Sequence, residues 1–162
     1  MKKKSTTAIG GVPEAVTVLS VSPNPEDHQA LERIFTESAW DAYPHSCRHV
    51  SRASTLSSAL TALRQVQYPV VLCERDLPLG DWKDLLEHSN RLANRPLVIV
   101  TSLHADEYLW AEALNLGAHD VLAKPFYPPE VMRVVTLARL RWCRDRQPAA
   151  PNAILRQAAV AG

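Results

Sequence analysis

Four short stretches hold polar and charged side chains that could work together in one crevice, and each closes an apolar run. Ser22, Pro23 and Asn24 follow Val-Thr-Val-Leu-Ser-Val at 16–21, and Glu74 and Asp76 follow the run at 70–73. Thr101 and Ser102 close Leu-Val-Ile-Val at 97–100, and Lys124-Pro125-Phe126 follows the run at 120–123. Carboxylates, hydroxyls, an amide and one lysine are the acceptor and donor types of an ionic crevice. Glu26 and Asp27 fall in the first turn of the helix after residue 24, where carboxylates are favoured, and are expected to serve that helix end, the alternative being that one of them reaches into the crevice. No Ser/His/Asp arrangement, glycine-rich phosphate loop or dinucleotide fingerprint is present, and Gly10-Gly11 precedes the first strand. His45, Cys47 and His49 alternate, but the two histidines would lie about 13 Å apart along a strand, too far to share an ion.

The scaffold that brings such stretches together is a repeated strand-loop-helix unit. The strand at 16–21 ends in Ser22-Pro23-Asn24-Pro25, and a helix carrying Ala30, Leu31, Ile34 and Phe35 follows. A weaker strand at 46–51 leads to a helix capped by Ser54 or Thr55 with Leu56, Ala59, Leu60 and Leu63 as its stripe. The strand at 70–73 is followed by a helix at 81–92 with Trp82, Leu85 and Leu86. The strand at 96–101 precedes a helix at 105–116 that Gly117 ends. A fifth strand at 120–123 leads to a helix opened by Pro128-Pro129-Glu130, with Val131, Val134, Val135 and Ala138 facing the core. Five strands alternating with five helices predict a parallel sheet covered on both faces, with its crevice at the carboxyl ends of the strands.

Length and composition bound the rest. The 162 residues suit one domain, expected over 15–146, between tails at 1–14 and 147–162. With 46% hydrophobic and 22% charged residues the chain can bury a core. No apolar run is long enough for a membrane span and the basic start lacks an apolar signal region, so a cytoplasmic protein is expected. Three widely spaced cysteines give no disulfide framework. The formal net charge is +1; Lys2, Lys3 and Lys4 contribute +3 and residues 139–146 another +3, so the remainder carries −5. That distribution has no basic stripe for duplex binding, and no nucleic-acid partner is expected. Arg139, Arg141, Arg144 and Arg146 are read as a solvated helix end.

At the strand ends the chain resembles the receiver domain of two-component response regulators. The resemblance runs from about residue 16 to 142 and rests on three pieces. Gly117-Ala118-His119-Asp120-Val121-Leu122-Ala123-Lys124-Pro125-Phe126 is similar to the family's run into its Lys-Pro, and Val98-Ile99-Val100-Thr101-Ser102 to its strand ending in Thr and a small residue. Glu74-Arg75-Asp76-Leu77-Pro78 falls on its phosphoacceptor loop. The resemblance implies a flavodoxin-like doubly wound (βα)5 fold with strand order 2-1-3-4-5 and a cis bond between Lys124 and Pro125. It also implies a phosphoryl-accepting Asp, two Mg²⁺-binding acidic residues after strand one, and a Tyr or Phe switch three residues before the lysine.

The chain departs from those residues. Glu74 stands at the acceptor position, Ser22 and Pro23 at the acidic pair, and Val121 at the switch position. Mg²⁺ binding is therefore expected to be weak or absent, with Asn24 left to offer an amide oxygen. Glu74, one methylene longer than Asp, is expected to pair with Lys124 and to mimic a phosphoryl group in part. By the resemblance, Thr101 matches the position whose hydroxyl contacts the phosphoryl group, and Ser102 the small neighbour that leaves access to the acceptor. The expected protein is a stand-alone atypical receiver that is not an enzyme. It is expected to act by contact with a sensor kinase or a downstream regulator, with the face of helix four, strand five and helix five forming a homodimer or a partner interface. That face would present Tyr108, Trp110, Met132 and Leu140. A second reading keeps phosphorylation, at Asp76 or with weak metal help; a third is a small-molecule-binding domain using the same crevice.

Overall fold

Inward-facing positions alternate along every strand of the central sheet and divide the apolar residues between two cores. The computed structural model describes residues 17–37 and 49–146. The two tails, Trp40, Tyr43, His45 and Cys47 lie outside the described residues. The sheet strands are β1 (Thr17–Val21), β2 (His49–Ala53), β3 (Val70–Glu74), β4 (Leu97–Ser102) and β5 (Asp120–Ala123). They are parallel, in the order β2-β1-β3-β4-β5. Helices α1 (Pro25–Glu37), α2 (Leu56–Gln65), α3 (Trp82–Asn90), α4 (Glu107–Leu116) and α5 (Pro128–Asp145) connect and follow them. This is the flavodoxin-like order that the resemblance implied.

Leu19, Val21, Val71, Cys73, Val98, Val100 and Val121 face α2, α3 and α4, whereas Val18, Val70, Leu72, Ile99 and Leu122 face α1 and α5. Period-two alternation thus fills both faces of the sheet with apolar side chains, as a parallel sheet between helices requires. Capping fixes where the helices begin. Thr55 and Ser58 form a reciprocal capping box on α2, and Asp81 and Asp84 form another on α3. Asp106 caps α4, and Gly117 ends it in the left-handed conformation, φ 101°.

Several expectations need correction. Strand two lies at His49–Ala53 rather than 46–51; it is an edge strand, and its alternating HVSRA sequence carries little apolar signal. Helix four starts two residues later than expected, because Asp106 is its cap. An antiparallel ribbon of Asp76–Leu77 and Gly80–Asp81 fills the loop after β3, with Leu79 at its tip in a left-handed conformation, φ 59°. Met132 is buried with the inward stripe of α5 and is no part of an exposed face. Helix α5 runs to Asp145, so Arg139, Arg141 and Arg144 lie within it, and Arg139 is buried. Among the described residues, no helix is long and apolar enough to cross a membrane.

Candidate functional site

The parallel register sets the crevice by aligning the carboxyl ends of β1, β3, β4 and β5. Glu74 pairs in register with Thr101, and Ser102 with Ala123. Backbone bonds extend the alignment past the strands, from Arg75 N to Thr101 O (2.9 Å) and from Lys124 N to Ser102 O (2.9 Å). Lys124, joined to Pro125 by a cis bond, leaves β5 with its side chain directed across the sheet edge. Its ammonium meets Glu74 Oε2, the expected pair, and also Asp27 Oδ2 at 2.8 Å. The three side chains are only 10–12% exposed.

Asp27 is the residue that the helix-end reading misplaced. It turns inward from the first turn of α1, where Ser22 Oγ donates to its Oδ2 at 2.6 Å. Asn24 takes the capping work: its Oδ1 accepts from Glu26 N at 3.1 Å, and its own N–H donates to Ser22 Oγ at 3.1 Å. The next residue, His28, is buried with Asp27. Its Nε2 lies 3.0 Å from Ser22 O, which can only accept, so Nε2 carries the proton and Nδ1 accepts from Ser20 Oγ at 2.8 Å. A signal for both residues was present: Asp27 and His28 stand one turn before Leu31 on the inward stripe that continues to Ile34 and Phe35.

Burial sets the protonation of these groups. Burial pushes Lys124 down, but hydrogen bonds to Asp27 and Glu74 and their negative charges outweigh it and hold the ammonium above its ordinary value. Burial lowers His28 and dominates the opposing pull of the Ser22 carbonyl, so the ring stays neutral. The site is thus a carboxylate-ammonium-carboxylate cluster with one net negative charge.

The other expected residues fall around it. Thr101 and Ser102 are buried; Thr101 Oγ1 makes a long 3.4 Å contact with Glu74 Oε2, and Ser102 Oγ accepts from His104 N at 3.1 Å. Pro23 is exposed beside Ser22. Val121 is buried in the core against α4. Asp76 stands in the ribbon with its side chain 85% exposed and Arg75 Nε 3.9 Å away, apart from the Lys124 cluster. Cys73, under the same strand end, is buried, and burial pushes its thiol far above the usual range.

A fold of this order with its lysine, threonine and loop carboxylate at the strand ends is that of a receiver. The family model of the response regulator receiver domain matches residues 25–136, and the chain belongs to that family. Solved structures agree in fold. The signal receiver domain of an HD domain-containing protein from Pseudomonas fluorescens is 21% identical, with 86% of this chain and 99% of that one covered and a TM-score of 0.70. A CheY-like receiver domain protein from Methanospirillum hungatei is 18% identical, covering 81% and 98%, with a TM-score of 0.66. A Francisella response regulator receiver domain is 22% identical, covering 78% and 98%, with a TM-score of 0.66. A sequence search of curated proteins finds no match. The chain is therefore a receiver domain of two-component signalling.

The family's Mg²⁺ calls for several oxygen ligands in near-octahedral array. The donor set does not fit it. The nearest carboxylate oxygens of Asp27 and Glu74 are taken by Lys124, the Ser22 hydroxyl is donated to Asp27, and Asn24 Oδ1 is committed to the helix end. Among the described residues no group of three or more His, Cys, Asp or Glu is placed to hold a metal ion.

Proposed function

We propose that this receiver is an atypical member that signals by protein contact, without Mg²⁺-dependent phosphorylation of an aspartate and without enzymatic turnover. The observation that carries this reading is the double engagement of Lys124 by Glu74 and Asp27. Two carboxylates already compensate the Lys124 charge, so an arriving phosphoryl group would have to displace one of them. Glu74 extends its carboxylate to that lysine and acts as a permanent stand-in, although its single charge is less than the about −1.5 to −2 of a phosphoryl group. Val121, without a ring to swing, leaves the state of the crevice unreported by the family's aromatic lever. The partners are a sensor kinase or a downstream regulator, met on the α4-β5-α5 side.

Intact-mass measurement after incubation with acetyl phosphate and Mg²⁺ tests this. The expected spectrum shows no phosphoryl adduct, and millimolar Mg²⁺ leaves the Tm unchanged because a ligand that does not bind the native state cannot stabilise it. A stoichiometric adduct overturns the reading: one abolished by Asp76→Asn transfers the acceptor role to the ribbon, and one abolished by Glu74→Gln makes Glu74 itself the acceptor.

A further inference from the structure

At the opposite end of the sheet, where the strands begin, a polar cleft of about 480 Å³ opens between the loop before β4 and the last turns of α5. The length of β4, about 17 Å, separates it from the Lys124 crevice. Its wall includes Asn90, Asn94, Arg95, Arg141, Trp142 and Arg146, and its one carboxylate is Asp145. Three guanidinium groups against one carboxylate leave a net charge of +2. Asp145 is itself occupied at the rim, 3.9 Å from Arg141 Nε and 4.0 Å from Arg144 Nε.

Among the described residues, carbonyls and a ring hold Arg146 in place. Its Nη1 donates to Trp142 O (3.2 Å), its Nη2 donates to Arg95 O (3.1 Å), and its guanidinium lies 3.7 Å from the centre of the Trp142 ring. Burial pushes the Arg146 charge down in pKa, against the pull of Asp145. The negative end of α5 accounts for the bond to Trp142 O. It does not account for Arg95, which arrives from another element.

We propose that this cleft is a binding site for a small phosphate-bearing ligand, separate from the receiver crevice. Guanidinium forks match phosphate oxygens in geometry, and a doubly charged anion offsets the +2 of the wall. The volume falls in the range of small-molecule pockets, about 300–1,000 Å³. The cations gather around one cleft and form no stripe of the kind that tracks a duplex.

Titration of the ¹⁵N-labelled full chain with sodium pyrophosphate, against sodium chloride at matched ionic strength, tests the proposal. Expected are saturable shifts of the Asn94, Arg95 and Gly117 amides and of the Trp142 indole N–H, with the Thr101 and Ala123 amides unmoved. Arg95 is exposed on its loop, so Arg95→Gln keeps the fold; it and Arg146→Gln each weaken binding about tenfold, the loss of one charge-assisted contact. No saturable shift beyond chloride, shifts centred on Lys124, or affinity unaltered by Arg95→Gln overturns the proposal. Binding of a duplex oligonucleotide with none of pyrophosphate also overturns it and assigns the cations to a polyanion.

Discussion

Asp27 and Glu74 share one ammonium, and removing that ammonium has a calculable consequence. A Lys124→Met variant leaves two carboxylates facing each other in a nearly closed crevice, and breaking a buried pair from one side costs about 3–5 kcal/mol. Urea unfolding is expected to show that loss, and adding Asp27→Asn to Lys124→Met to recover part of it. Because the folded Lys124 value lies above its ordinary one, its contribution is complete below about pH 10.5 and disappears as pH rises through the folded value. The neighbouring imidazole has the opposite sense. His28 is lowered in the folded state, so below about pH 6.5 the unfolded chain binds the extra proton, and stability falls as pH drops from there toward the folded value. Urea midpoints from pH 7.5 to 5 are expected to decline less steeply in His28→Gln than in the parent. The slope that remains includes His119, which burial also lowers.

Helix ends carry the next scale of determination. Gly117 holds φ 101° at the end of α4, and a Cβ built there meets nothing within 4 Å. Gly117→Ala therefore carries only the backbone penalty of a left-handed residue with a side chain, about 1–2 kcal/mol, while Gly117→Asn costs less. Thermal unfolding of the three proteins gives the order. The same punctuation explains how far the sequence could be read. Caps, prolines and two clear periodicities placed all five helices and four of the five strands, with β2 expected a few residues too early, and the order of the units put Glu74, Thr101, Ser102 and Lys124 at one edge. The ribbon at 76–81 escaped because two-residue strands have no period. Asp27 and His28 escaped for a different reason: a carboxylate in a first turn suits the helix dipole so well that its inward position on the Leu31 stripe was outweighed. The second acid of the site was therefore legible only once α1 was set against β1.

Viewed as a whole molecule, the receiver is asymmetric in what it shows to solvent. Strand β5 is an edge strand, with α4 on one side and α5 on the other. Trp110 is 38% exposed, and Leu114 on α4 and Leu137 and Leu140 on α5 are also exposed; Tyr108, expected on this face, lies instead on the flank of α4 toward α3, in a groove with Arg75, Trp82 and Glu112. Aliphatic and aromatic side chains left outside on both helices beside one unpaired edge favour association, since a standard interface buries about 800 Å² on each partner and draws on such anchors. On the proposed reading of the Lys124 cluster, any such contact forms without a phosphoryl trigger. Light scattering across a concentration series is expected to show a monomer-dimer equilibrium unaltered by acetyl phosphate, and Leu114→Glu or Leu140→Glu to weaken it about tenfold by placing a charge in a closing apolar contact. These side chains are exposed, so both variants keep their fold, and unchanged far-ultraviolet spectra would certify it. A parent chain that remains monomeric at the highest concentration leaves this face to a different partner protein. Dimerisation that both variants leave intact moves the contact to another surface.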